Sequence, residues 1–359
     1  MRIPTPIQAL SAAAALALLA GCSSGSAIAP KPATMIQGHV HMMGHQGSSV
    51  LNPIGMLALS KHAVNQSHRA SFDSCPATGV IEYVSDASNN AVDIFAGKNF
   101  SAGETPCGVI TGFAEPQGLA VSNHELYVAN TIGNSTSGNV LRFPRGATSP
   151  DMTYLDTSCG GEYPADVTVA LDGTVIATDI IANSCSGGQI STFNESTGAF
   201  EGNFPTYNGA NAFFVTVQRN GTVYYDDNFL SLNVGSCPLG ACGSFTATGA
   251  TFAFPGGVRS ASGPRSEDVV LDDQSAPGGG ALDTYETFPT PSWACPLGGS
   301  DPVSYDFNRT DKHAFFADAG NFVATEVKWN DSSAVCPGVA SVTMSGQPIG
   351  AAVDKPGAN

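Results

Sequence analysis

Residues 116–130 read PQGLAVSNHELYVAN, and this stretch decides the fold. Gly118 to Val121 is a short apolar run, Tyr127 to Asn130 is a second, and Ser122-Asn123-His124-Glu125 is the polar turn between them. Two runs rich in β-branched, aromatic and small apolar residues, joined so briefly, make a β-hairpin. The second run recurs along the chain. Tyr83-Val84-Ser85-Asp86, Val175-Ile176-Ala177-Thr178, Val223-Tyr224-Tyr225-Asp226, Val269-Val270-Leu271-Asp272 and Phe315-Phe316-Ala317-Asp318 share its character. Together with Tyr127-Val128-Ala129-Asn130 their last members lie 44, 48, 48, 46 and 46 residues apart. Six copies at a near-constant spacing identify a repeat architecture.

The flanks of each tetrad supply further strands. Val167-Thr168-Val169 and Phe214-Val215-Thr216-Val217 precede their tetrads across Asp172-Gly173 and Asn220-Gly221, dipeptides that accept the positive φ angles of a tight hairpin. Val92-Asp93-Ile94-Phe95, Val140-Leu141-Arg142-Phe143 and Ile190-Ser191-Thr192-Phe193 follow as third strands, and Val109 to Phe113 is a less regular fourth. Four strands per unit, six units and no amphipathic helix describe an all-β, six-bladed β-propeller. The chain ends agree. The first unit lacks an apolar strand before Tyr83, whereas Pro348-Ile349-Gly350-Ala351-Ala352-Val353-Asp354 repeats the pattern of residues 116–121 with no tetrad after it. Residues 348–354 are therefore expected to complete the first blade, closing the ring and removing two exposed sheet edges.

On the Pro-Gln-Gly-Leu-Ala-Val run at 116–121, the Tyr-Val-Ala-Asn tetrad and the following Asn139-Val140-Leu141-Arg142-Phe143, the chain resembles the six-bladed NHL-repeat and SMP-30-like propellers over roughly residues 78–359. Residues 237–272, rich in Gly, Ser and Pro, fit that pattern least well. The resemblance implies architecture more than chemistry. In SMP-30-like lactonases a metal held by Glu, Asn and Asp at the channel mouth acts as a Lewis acid. Glu115-Pro116 is a faint echo of that arrangement.

The amino terminus gives a cellular address. Met1-Arg2 precedes an Ala/Leu-rich run from Ile7 to Ala20, the length of a signal-peptide core and too short for an ordinary membrane-spanning helix. It ends Leu19-Ala20-Gly21-Cys22, which resembles the lipobox of bacterial lipoproteins. That resemblance implies cleavage of residues 1–21, lipidation of Cys22 and firm attachment through several acyl chains. Ser23, where Asp would imply inner-membrane retention, points to the outer membrane. Residues 22–71, with scattered Pro, Gly and Ser, read as a flexible linker, and residues 72–359 as the propeller.

Cysteine usage agrees with export. Beyond Cys22 there are eight: Cys75, Cys107, Cys159, Cys185, Cys237, Cys242, Cys295 and Cys336. They form no Cys-x-x-Cys pair and do not cluster with histidine, so disulfides are expected rather than zinc or thioredoxin-like chemistry. Many connectivities exist on paper. Pairing of sequence neighbours (75–107, 159–185, 237–242, 295–336) is the expectation.

Only 12% of residues are charged and the net charge is −16, a balance that repels phosphate backbones and argues against nucleic-acid binding. No nucleophile elbow, Walker sequence or dinucleotide fingerprint is present. The acids and amide that end the tetrads, Asp86, Asn130, Asp226, Asp272 and Asp318, recur in nearly every unit. They are expected first as acceptors of turn N–H groups; the alternative is Ca²⁺ or another divalent cation near the axis. His39, His41 and His45, beside Met42 and Met43 in the linker, are a candidate set for copper, against the plainer reading of a solvated linker. The expected function is a membrane-anchored cell-envelope lipoprotein whose propeller binds or scaffolds a protein, peptide or glycan. The alternatives are a metal-dependent hydrolase or lactonase at the channel mouth, and metal capture by the linker.

Overall fold

The computed structural model describes residues 71–354 apart from short inter-strand segments, the longest being 132–137, 181–187 and 261–267. Cys22, His39, His41, His45, Cys159 and Cys185 lie outside the described residues. The described chain is built of strands, and its named helical element is a single turn at Leu239–Ala241.

The first blade contains β1 (Ile81–Asp86), β2 (Ala91–Ala96) and β3 (Gly108–Thr111). The second is β4 (Pro116–Ser122), β5 (Glu125–Asn130), β6 (Asn139–Pro144) and β7 (Met152–Tyr154). The third is β8 (Pro164–Val169), β9 (Thr174–Asp179), β10 (Gln189–Asn194) and β11 (Phe200–Pro205), and the fourth β12 (Ala212–Val217), β13 (Thr222–Asp227), β14 (Asn233–Pro238) and β15 (Thr246–Thr251). The fifth is β16 (Pro255–Ser260), β17 (Val269–Asp273), β18 (Ala281–Tyr285) and β19 (Trp293–Pro296). The sixth is β20 (Pro302–Phe307), β21 (His313–Asp318), β22 (Val323–Lys328) and β23 (Gly338–Thr343). The last strand, β24 (Pro348–Asp354), pairs with β1 and completes the first blade as expected. Each first strand packs against the first strand of the next blade, and β20 meets β24, so the ring is closed.

The hairpins form for the reasons read from the sequence. Gly173 and Gly221 adopt φ of 83° and 82°, and the Asp172 carboxylate and the Asn220 side-chain amide oxygen accept the N–H groups of Thr174 and Thr222 at 3.0 and 2.8 Å. Asn123 and His124 both take positive φ, 48° and 66°, which makes the 122–125 turn tight without a glycine. Five buried apolar clusters each fill one junction between blades, and the sixth fills the junction of the fourth and fifth blades and reaches residues of the first, third and sixth. Val223 and Tyr225 face the third blade while Tyr224 faces the fifth. Both faces of the second strands are thus buried, which is why the tetrads are continuous apolar runs rather than alternating ones.

Three of the expected disulfides are formed. Cys75–Cys107 ties the segment before β1 to the β2–β3 connection, Cys237–Cys242 spans the turn after β14, and Cys295–Cys336 joins the fifth blade to the sixth.

Antiparallel order fixes which loops share a face. Connections from second to third strands, and from one blade's fourth strand to the next blade's first, leave from one face, called upper here. First-to-second and third-to-fourth connections leave from the lower face. All six first strands carry a β-bulge near their upper end.

Candidate functional site

Strand pairing sets the phase of the repeat. Asp86, Asn130, Asp179, Asp227, Asp273 and Asp318 are the equivalent strand ends, since each faces the first residue of its own blade's first strand. Thr178, Asp226 and Asp272 therefore stand one residue earlier, level with Ser85, Ala129 and Ala317. This corrects the alignment of the tetrads: the four acids and one amide from sequence occupy two levels on opposite faces of their strands.

The two levels do different work. At the strand end, Asp86 accepts the backbone N–H and side-chain amide of Asn89 at 3.0 and 2.8 Å. Asp318 holds Asn321 the same way, at 3.0 and 2.8 Å. The Asn130 side-chain amide oxygen accepts Ala114 N–H at 2.7 Å. One residue earlier, the Ser85 and Thr178 hydroxyls stitch neighbouring blades together. The Ser85 hydroxyl accepts Gly350 N–H at 2.6 Å and donates to the Gln117 carbonyl of the second blade at 2.7 Å. The Thr178 hydroxyl accepts Asp166 N–H at 2.9 Å and donates to the Phe213 carbonyl of the fourth blade at 2.8 Å. Asp226 accepts Phe214 N–H at 2.8 Å. Asp226 and Asp272 are fully buried. Among the described residues, no three His, Cys, Asp or Glu side chains gather as a metal-ligand set.

The axis itself holds an ion pair. The Arg259 guanidinium donates to both Asp166 oxygens at 2.7 and 3.2 Å. It also donates to the carbonyls of Leu119, Val215 and Val258 and to the Ser304 hydroxyl, all within 3.3 Å. These partners belong to the first strands of the second to sixth blades, so the side chain lies where a central channel would run. Burial alone would lower the guanidinium's pKa, but Asp166 more than offsets this and holds it charged. The neighbouring backbone leaves room for the pair. A Cβ at Gly118 would collide with the Asp166 carboxylate, and one at Gly350 with the Gln117 carbonyl. Phe213, Val303, Ile349 and Ala165, one residue nearer the upper face, belong to a single buried apolar cluster.

Two further polar sets sit at the junctions of the first blade. At its junction with the sixth, Glu326 accepts Phe100 N–H at 2.9 Å and is paired with His313 Nδ1. Buried Glu82 lies nearby with one oxygen lacking a partner; burial, then the charges of Glu326 and Glu104, push its carboxyl up to about 9. At the junction with the second blade, Asp354 is held by His124 Nδ1 at 2.6 Å and by Arg145. Arg145 also donates to the Gly79 and Ala77 carbonyls at 2.9 and 3.2 Å. Trp329 is buried against Phe307, with ring centroids 4.5 Å apart, whereas Trp293 on the edge strand β19 is exposed.

The Asp166–Arg259 pair and Glu82 were missed in the sequence. Their signal was faint: a single charged residue within an apolar strand, as in Ala165-Asp166-Val167, Val258-Arg259-Ser260 and Ile81-Glu82-Tyr83.

No family model matches the chain, and comparison with curated proteins finds no match. Solved structures are similar in fold. A chain of the nidogen/laminin complex shares 12% identity at a TM-score of 0.59, covering 77% of this chain and 98% of that one. A chain of hydrazine synthase from Kuenenia stuttgartiensis shares 11% at 0.50, covering 80% and 91%. A provisionally assigned 6-phosphogluconolactonase from Bacteroides fragilis shares 14% at 0.49, covering 77% and 84%, too slight a likeness to carry an argument. These similarities place the chain in the propeller class by fold alone. No helix among the described residues is long and apolar enough to cross a membrane.

Proposed function

We propose that the chain is an exported, lipid-anchored module of the cell envelope, whose propeller binds or scaffolds a protein, peptide or glycan. The filled axis carries this reading. Arg259 and Asp166 occupy the centre and bond to five blades, so the ring is a rigid support and its loops are what it presents outward. Fold does not fix chemistry, and no catalytic set gathers among the described residues to argue for a reaction. The β5–β6 and β9–β10 connections, at 131–138 and 180–188, are rich in Asn, Ser, Thr and Gly. Their amides and hydroxyls suit hydrogen bonding to a polar ligand. A net charge of −16 favours neutral or basic ligands over anionic ones.

The test is surface plasmon resonance with immobilised lipid-free protein against peptidoglycan fragments, envelope polysaccharide and solubilised envelope proteins. Saturable binding that weakens when Asn134, Ser135 and Thr136 are changed to Ala supports the module. No saturable binding to any of these fractions removes it. The anchor is tested separately: Cys22→Ser is expected to move the protein from the membrane to the soluble fraction.

A further inference from the structure

An open sheet edge pairs with other chains unless something blocks it, and five of the six fourth strands are blocked. Val109 of β3 exchanges both backbone hydrogen bonds with Ser71, at 2.8 Å each. β7 has three residues. β11 carries Glu201 and ends at Pro205. β15 is broken by Gly249, φ 85°, where an added Cβ would lie 3.2 Å from Pro289. β19 has four residues and ends at Pro296. In contrast β23, Gly338-Val339-Ala340-Ser341-Val342-Thr343, has six residues, no charge and no proline. Its one irregularity lies at its start, beside Val339, and Ala340 to Thr343 pair with β22 in unbroken register. β23 stands last in its sheet, and Gly338, Val339, Ser341 and Thr343 are exposed.

Exposed apolar side chains gather beside this edge. Trp293, Val335 and Val339 are 38%, 65% and 37% exposed. Trp293 is two residues from Cys295 on β19, hence on the same face of that strand. Cys295 is bonded to Cys336 of the sixth blade, with Cα atoms 5.6 Å apart. Val335 precedes Cys336 in the chain and Val339 follows it three residues on, so the three side chains surround the outer mouth of the seam between the fifth and sixth blades. The lower end of the seam is positive. Lys328 N–H donates to the Pro337 carbonyl at 2.9 Å, just ahead of β23, and Trp329 N–H to the Lys312 carbonyl at 2.8 Å. Both lysines are exposed, and neither forms an ion pair among the described residues. In a chain of net charge −16 this corner is a local reversal of sign.

We propose that the outer seam between the fifth and sixth blades binds an extended polypeptide strand of a partner protein, laid antiparallel on β23 with acidic residues at its carboxyl end. The open edge supplies backbone hydrogen bonds, and Trp293 and Val339 supply apolar contact for alternate side chains. Charge fixes the direction. β23 starts at the lower face, so an antiparallel strand finishes there, beside Lys312 and Lys328. The surface is on the rim, away from the upper-face loops, and holds whether or not those loops bind a ligand.

The test uses lipid-free protein and a dye-labelled heptapeptide, Val-Thr-Val-Thr-Val-Asp-Asp, with a free carboxyl end. Fluorescence anisotropy is expected to show saturable binding, and hydrogen exchange over Gly338–Thr343 is expected to slow when the peptide is present. Lys328→Glu should bind this peptide about fivefold more weakly, and should bind a counterpart ending in Lys-Lys more tightly than wild type does. Trp293→Ala should weaken both peptides. The variant with Asn134, Ser135 and Thr136 changed to Ala should bind as wild type, which separates this surface from the loops. Absence of saturable binding at millimolar peptide would overturn the proposal, as would unchanged exchange over Gly338–Thr343. So would equal affinities of wild type and Lys328→Glu for both peptides, or loss of binding in the loop variant. Displacement of the peptide by envelope polysaccharide would assign the seam to a glycan instead.

Discussion

Arg259 shows how much one side chain can organise. Its guanidinium presents donors in a fixed fork, and the two terminal nitrogens bond to Asp166, to the Leu119, Val215 and Val258 carbonyls and to Ser304. Removing one member of such a buried pair strands the other's charge, at a cost of about 3–5 kcal/mol. Arg259→Met and Asp166→Asn are therefore each expected to lower unfolding free energy by about that amount, read from urea denaturation. The double variant should recover a large part of the loss, because neither charge is then left alone; purely additive losses would mean the two residues act separately. The pair was not legible beforehand for a plain reason. The partners are 93 residues apart, and each is a lone charge in an apolar strand that carries no local sign of its counterpart.

At the scale of the element, the strands were legible and their phase was not. Turn chemistry at Asp172-Gly173 and Asn220-Gly221 located the hairpins, and the apolar runs located the second strands. A strand buried on both faces has no polar alternation to fix its register. Val175-Ile176-Ala177-Thr178 consequently reads as a copy of Tyr127-Val128-Ala129-Asn130, although Asp179 is the residue that faces Pro164 as Asn130 faces Pro116. Glu82, on β1, turns a strand position into a pH-dependent one. Its carboxyl lies at about 9 in the folded chain, against an ordinary value of 4.5. A folded pKa raised in this way means that the native state holds the proton more tightly than the unfolded chain. Stability from this group is full below about 4.5 and is lost as pH climbs through about 9. Glu82→Gln should flatten that decline and be the more stable form at pH 8–9, by about 1–3 kcal/mol. Asp93, pushed up to about 7 by burial and then by Asp86, falls in the same direction. The quantity to read is thus the difference between the two stability–pH profiles; superimposable profiles would show that Glu82 is not the titrating group.

For the whole molecule, the decisive event is closure of the ring by a strand from the far end of the chain. Apolar pairing alone does not explain why β24 ends where it does. Asp354, its last residue, is buried and held by both His124 and Arg145 of the second blade. The same Arg145 reaches the Gly79, Ala77 and Pro76 carbonyls ahead of β1. One guanidinium therefore fastens the start and the end of the propeller to a common neighbour. Two variants separate the strand from its fastening. A chain ending at residue 347 keeps the clusters of the other blades but leaves the apolar second strand β1 with an open edge, and such edges pair with other chains. It should be unfolded or oligomeric by size-exclusion chromatography. Arg145→Ala keeps the strand and removes only the grip. It is expected to stay monomeric and melt in a single calorimetric transition, with about 1–3 kcal/mol less stability. Closure is then cooperative with the rest of the ring. A separate early transition in Arg145→Ala would instead mean that the first blade opens on its own, and that the five remaining blades hold without it.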